Sequence, residues 1–211
     1  MSTHYEDESV QLFHGDCLDV LRELPDNSVD SVVCDPPWRF DITQRLGGKG
    51  RRPPAANPRY STLSVHELAD LPVGRLLADQ RHLWLVATNA VLASGAHSLL
   101  FDAWRVRPVT VLTWCKPGGN GLGQYLRGAT EHAVLAVKGW GTVPTTPHPS
   151  TWFQAAREPH SVKSGAAFDI IEAVSPGPYV ELFQRQGRIG WDGWGYGHEL
   201  SQAHNPASRP E

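Results

Sequence analysis

Three cysteines in 211 residues are few, and Cys17, Cys34 and Cys115 lie too far apart for a disulfide framework or a paired-cysteine metal site. They are expected to be small buried hydrophobes in a reducing compartment. The ten histidines show no zinc-binding helix spacing, so no metal is expected. No apolar run approaches the roughly 20 residues needed to span a bilayer. Residues 1–10 are acidic and polar rather than a signal peptide, which points to a cytoplasmic protein without a membrane anchor. Positive charge is not in excess either: 19 basic against 22 acidic residues leave a net charge of -3. That balance excludes a generally basic nucleic-acid coat but not a local basic patch.

Apolar residues make up 40% of the chain, ordinary for a globular protein of one domain, with 1–9 and 198–211 expected to be flexible tails. The stretch that organises the rest is Val32-Val33-Cys34-Asp35-Pro36-Pro37-Trp38. A short apolar run closed by turn residues predicts a buried strand. Asp35 then stands at the strand's carboxyl end, where open α/β sheets place ligands. The prolines stiffen the corner and leave the Asp35 and Pro36 carbonyls outside a sheet ladder. A carboxylate, carbonyl oxygens and a flat ring at one rigid corner can hold an exocyclic amino group and stack on the base that carries it. A proline pair ending a strand is also common punctuation, so the corner alone is a weak motif.

Around it the chain alternates strands and helices. Strands are predicted at 10–13, 31–34, 81–87, 108–115, 131–137, 151–155, 179–183 and 191–194. Helices are predicted at 17–24, after the Ser64-x-x-Glu67 capping box, at 91–104 with Asn89 as N-cap and Gly95 tolerated inside, and at 165–174. This pattern predicts a three-layer α/β sandwich with a mostly parallel sheet. Residues 39–60 read as a long loop carrying Arg39, Arg45, Lys49, Arg51, Arg52 and Arg59 against one acid, Asp41. Such a loop is either a solvated linker or, attached as it is to Trp38, a cover over the site where phosphates dock. Gly119-x-Gly121-x-Gly123 lacks the dinucleotide spacing and reads as a loop.

Further landmarks run in one order: Gly15-Asp16-Cys17, Tyr60-Ser61-Thr62-Leu63-Ser64, Leu83-Trp84-Leu85-Val86-Ala87-Thr88, Thr113-Trp114-Cys115-Lys116, Glu131-His132, His160-Ser161-Val162-Lys163, Glu181-Leu182-Phe183-Gln184-Arg185 and Gly190-Trp191-Asp192-Gly193-Trp194-Gly195. With Asp35-Pro36-Pro37-Trp38, this series resembles the MT-A70 family of adenine methyltransferases that use S-adenosylmethionine, in its short microbial and phage form. The resemblance implies a Rossmann-like methyltransferase fold in permuted motif order. It implies a catalytic set of Asp35, Pro36, Pro37 and Trp38, with the acid and neighbouring carbonyl on the target amino group and Trp38 on the adenine. It implies cofactor contacts from Asp16, Cys17, Asp35, Ser161, Lys163, Glu181, Phe183, Arg185 and Tyr196.

Nucleic acid would meet Arg39, Arg45, Lys49, Arg51, Arg52, Arg59 and Tyr60. The expected substrate is DNA, with RNA or a silent binding subunit as alternatives, and the expected state is a monomer or homodimer. The chain departs from the family at Ser164, where proline is usual after the lysine. It departs again at Tyr196-Gly197, where Asn followed by Glu or Gln is usual beside the cofactor ribose. Taken residue by residue, Asp16 could be only a helix N-cap, Lys163 a solvated loop lysine, and Glu181 and Arg185 surface charges. Trp84, Trp114 and Trp191 read as core, and Tyr60 as either core or site.

Overall fold

The computed structural model describes residues 2–6, 11–14, 17–39, 62–118, 125–141, 143, 148–156, 164–184 and 187–194, with backbone alone up to Cys17. The strands are β1 (Ser2–Glu6), β2 (Gln11–His14), β3 (Val29–Cys34), β4 (Leu77–Ala87), β5 (Arg107–Cys115), β6 (Thr130–Val137), β7 (Trp152–Gln154), β8 (Tyr179–Leu182) and β9 (Trp191–Trp194). They form one sheet in the order β1-β2-β9-β8-β3-β4-β6-β5-β7. The pairs β2–β9, β8–β9, β3–β8, β3–β4 and β5–β7 are parallel, whereas β1–β2, β4–β6 and β5–β6 are antiparallel. The sheet is therefore mostly parallel, as alternating strands and helices require.

Helices cover both faces. Val32 and Cys34 of β3 point to the face that carries α2 (Val65–Ala69), α3 (Val73–Leu76) and α5 (His97–Trp104), where Leu68, Leu76, Leu100 and Phe101 complete a cluster with Leu83, Leu85, Val134 and Ala136. Val33 points the other way, to a cluster of Trp84, Leu112, Leu135 and Trp191 closed by Phe168 and Ile171 of α6 (Gly165–Val174). Successive strand residues face opposite sides, so a strand buried on both reads as an unbroken apolar run. Leu21 of α1 (Cys17–Glu23) joins the first cluster, and Val20 packs with Trp194. Trp84, Trp114 and Trp191 are core residues, as expected.

Three sequence expectations are corrected. Residues 2–6, placed in a tail, form β1 and pair with β2. The helix expected over 91–104 is two: α4 (Asn89–Ser94) ends where Gly95 takes φ 71°, and α5 starts at His97. A glycine at positive φ is the usual helix stop, so Gly95 terminates rather than being tolerated. The N-cap of α4 is Thr88, whose hydroxyl accepts from the Val91 N–H at 3.4 Å, so Asn89 is released from the capping role. The Ser64–Glu67 capping box forms as expected, with bonds of 3.2 and 2.7 Å.

The far end of α6 is pinned by a charged cluster. Arg188 donates to Glu172 Oε1 (2.9 Å) and Oε2 (3.1 Å) and to Asp169 (2.9 Å), and its guanidinium lies 5.1 Å from the Phe168 ring centroid. Trp191 Nε1 donates to Glu172 at 2.7 Å. The Arg188 bond, then the Trp191 bond, hold the Glu172 carboxyl below its ordinary range despite some opposing burial. A depressed carboxyl pKa adds stability above the unfolded value, and that stability is lost as pH falls through the folded one. Glu172→Gln should therefore cost about 0.5–1 kcal/mol at pH 7, discounted for solvent screening. The difference from wild type should shrink below roughly pH 4.5. Urea unfolding of both proteins from pH 7 to pH 3.5 reads it; a gap unchanged across that range would refute the assignment.

Candidate active site

β3 lies between β4 and β8, and all three run parallel, so their carboxyl ends share one rim of the sheet. Asp35 is the first residue past β3 and is half-buried there, its backbone N–H 3.4 Å from the Leu182 carbonyl at the end of β8. The corner then turns sharply. The Trp38 N–H donates to the Pro36 carbonyl at 2.8 Å, so that oxygen is outside the ladder but not idle; its second lone pair remains. Trp38 pairs with Leu63 in an isolated parallel bridge, with Leu63 N–H to the Pro37 carbonyl and Arg39 N–H to the Leu63 carbonyl, each 2.9 Å. The indole is fixed too: Trp38 Nε1 donates to the Val86 carbonyl near the end of β4 at 3.1 Å, and the ring packs on the α5-side cluster. The turn, the bridge and the indole bond together hold the ring in place.

Arg39, expected on a phosphate, is exposed and engaged locally: it donates to the Thr62 carbonyl at 2.9 Å and sits 3.4 Å from Glu67. The other basic residues expected there, Arg45, Lys49, Arg51, Arg52 and Arg59, and Tyr60, lie outside the described residues. So do Asp16, Ser161, Lys163, Arg185, Tyr196 and the side chain of Cys17.

The end of β8 is described. Glu181 is buried, at 3% exposure, and is not the surface charge it could have been. Phe183 follows with φ 63°, a left-handed conformation that a bulky side chain seldom takes, and its ring meets Trp194 edge-to-face at 5.1 Å. The chain thus turns abruptly out of the sheet beside the corner. Gln184 is fully buried, and neither amide atom has a partner among the described residues. Its side chain runs over Gly193 of β9, where an added Cβ would come 1.8 Å from Oε1. Buried amides are seldom left unpaired, so a polar partner for this one is expected. Ser164, in place of the usual proline, takes the N-cap position of α6, buried and without a side-chain cap bond. An acid and an amide at this rim could meet the amino and hydroxyl groups of a polar ligand.

A polar network unforeseen from the sequence lies at the same rim. Thr113 and His132 are cross-strand partners on β5 and β6, and Thr113 Oγ1 meets His132 Nδ1 at 3.1 Å. His132 Nε2 bonds Asn89 Oδ1, and Thr130 Oγ1 reaches both, at 3.1 Å to Asn89 and 3.2 Å to His132. Burial lowers the His132 pKa, with the Glu131 charge opposing it. Lys116 pairs with Glu131 and stands 4.1 Å from the Trp114 ring centroid. Only the strand register brings these residues together; in the sequence Asn89 and His132 are far apart.

The mostly parallel sheet thus carries the Asp-Pro-Pro-Trp corner at the carboxyl rim of β3, β4 and β8. The MT-A70 family model matches residues 29–197, and the chain belongs to that family. It is 29% identical over 193 residues to the type II methyltransferase M.MunI of Mycoplasma sp, covering 84% of this chain and 81% of that protein. It is 26% identical over 137 residues to the type II methyltransferase M.BglII of Bacillus subtilis, covering 61% of this chain and 35% of the relative. Among the described residues no helix is long and apolar enough to cross a membrane, and no group of three or more His, Cys, Asp or Glu could hold a metal.

Proposed function

We propose that the chain transfers a methyl group from S-adenosylmethionine to the exocyclic amino group of adenine in DNA. The observation that carries this reading is Asp35, half-buried at the end of β3 against the Pro36-Pro37 turn with the fixed Trp38 ring beside it. The naming of both relatives as type II methyltransferases favours DNA over RNA.

The cofactor, when bound, supplies a methyl group activated on a sulfonium sulfur. The protein's task is the nucleophile. An adenine amino nitrogen is weak because its lone pair is shared with the ring. As it attacks, it turns tetrahedral and its protons become acidic. Asp35 and the Pro36 carbonyl accept those two N–H bonds, and both acceptances strengthen in the transition state, where binding raises rate. The stiff corner holds the acceptors without reorganisation. Glu181, the Gln184 amide and Lys163 are the residues that would hold the cofactor, Lys163 by its charge on the carboxylate. A base in a duplex must leave the stack to reach the corner, at a cost of a few kcal/mol. Stacking on Trp38, about 1–3 kcal/mol, offsets part of it. The basic residues of 39–60 suit the phosphate backbone, which positions rather than specifies.

Transfer of labelled methyl from cofactor to DNA and RNA, followed by nucleoside analysis, tests the proposal. N6-methyladenine in DNA is expected. Label found only in RNA, or on the cytosine amino group, would overturn it.

A further inference from the structure

The network at the ends of β4, β5 and β6 has one open donor group, the Asn89 NH2, and the network lies at the same rim of the sheet as the corner. His132 stands on the same side of β6 as Val134 and Ala136, members of the cluster on which Trp38 packs. Asn89 follows β4 three residues after Val86, whose carbonyl receives the Trp38 indole N–H. Asn89 and the Trp38 ring therefore occupy the same end and the same face of the sheet.

The hydrogens in the network can be assigned. With the imidazole neutral, the Asn89 oxygen can only accept, which places the ring hydrogen on Nε2 and makes the Thr113 hydroxyl the donor to Nδ1. That hydrogen and the Thr130 hydroxyl both go to Asn89 Oδ1. Both lone pairs of the Asn89 oxygen are then used, and its orientation is set from two directions. The NH2 group is left pointing away from the network, and among the described residues it has no partner. Thr88 has taken the cap of α4, so the side chain is not needed there.

We propose that Asn89 selects the target base, its amide nitrogen donating to N1 of the adenine held at the Asp35 corner, with His132 as the residue that positions the amide. This rests on adenine being the target. Enzymes that extrude a base read its Watson–Crick edge. On adenine that edge offers one acceptor, N1, beside the amino group that Asp35 and the Pro36 carbonyl take. Guanine carries a hydrogen at N1 and an oxygen at position 6, so it would set donor against donor at Asn89 and acceptor against acceptor at Asp35. Asn89 thus supplies the donor that the corner, made of acceptors, lacks.

The test uses a DNA duplex carrying the site that the wild-type protein methylates, with the target as adenine, 1-deazaadenine or 7-deazaadenine. On adenine, Asn89→Ala should lower kcat/KM about tenfold or more, the low end of what one good base contact is worth. Calorimetric affinity for S-adenosylmethionine should be unchanged. Wild type should lose about tenfold on 1-deazaadenine relative to adenine. Asn89→Ala should show no such loss, because the bond is already gone. Both proteins should treat 7-deazaadenine alike. His132→Gln, which keeps a donor towards Asn89, should retain most of the discrimination, and His132→Phe should abolish it. If Asn89→Ala discriminates against 1-deazaadenine as wild type does, the proposal is wrong. If wild type methylates no adenine, the parent reading fails instead, and this one with it.

Discussion

Asp35→Ala should reduce methyl transfer about a hundred- to a thousandfold while leaving the protein folded, a loss of the size seen when a preorganised transition-state contact is removed. The fold should survive because the corner is held by backbone bonds and by Trp38: the Trp38 N–H on the Pro36 carbonyl, the Leu63 N–H on the Pro37 carbonyl, and the indole N–H on the Val86 carbonyl. Asp35→Asn should be almost as damaged. Its amide can present an oxygen, but without charge and with a competing donor beside it. Single-turnover rates at saturating cofactor, with circular dichroism and melting curves on the same preparations, make the comparison. Substantial turnover in a folded Asp35→Ala protein would remove Asp35 from the chemistry.

The second large effect concerns stability. A Cβ on Gly74 would lie 2.0 Å from the Trp104 carbonyl oxygen and 2.8 Å from its carbon, so α3 and α5 pack backbone to backbone there. Backbone atoms cannot rotate aside, and the two helices would have to part. Parting them opens the cluster of Leu76, Leu100, Phe101 and Trp104. Gly74→Ala should cost about 3 kcal/mol, the upper end for overpacking, and lower Tm by about 6–12 °C. Gly165→Ala, at a position with nothing within 4 Å of the added atom, is the control and should be neutral or slightly stabilising. Denaturant unfolding with the slope compared across all three proteins reads the result. Equal midpoints would mean that α3 can slide without loss.

The chain shows in its sequence those features that depend on near neighbours. The unbroken run ending at Cys34 announces a strand buried on both faces, and Ser64 with Glu67 announces a helix start; both are found. Asp35 at the strand end follows from the same run. Gly95 was harder, because a lone glycine either lowers helix stability or ends the helix, and only its φ decides. Asn89 was the expected cap of α4, and the cap stands one residue earlier, at Thr88. The choice falls to Thr88 because Thr130 and His132, from a strand laid antiparallel to β4, claim the asparagine. Glu181 could be a surface charge or a buried one until β3 and β9 are seen to flank it. What was illegible was sheet register, which depends on the whole topology.

The bridge between Trp38 and Leu63 closes a short two-strand clasp at the mouth of residues 40–61. Whatever lies in that span, its two ends are already fixed to each other by the clasp and by the Arg39 bond to Thr62. The entropy of closing a loop grows only slowly with its length, each doubling adding about 0.6 kcal/mol. By that term alone, a change in the length of residues 40–61 costs the domain little. The clasp makes this stretch a socket, whose two fixed ends would keep the corner at Asp35 in place whatever segment joined them.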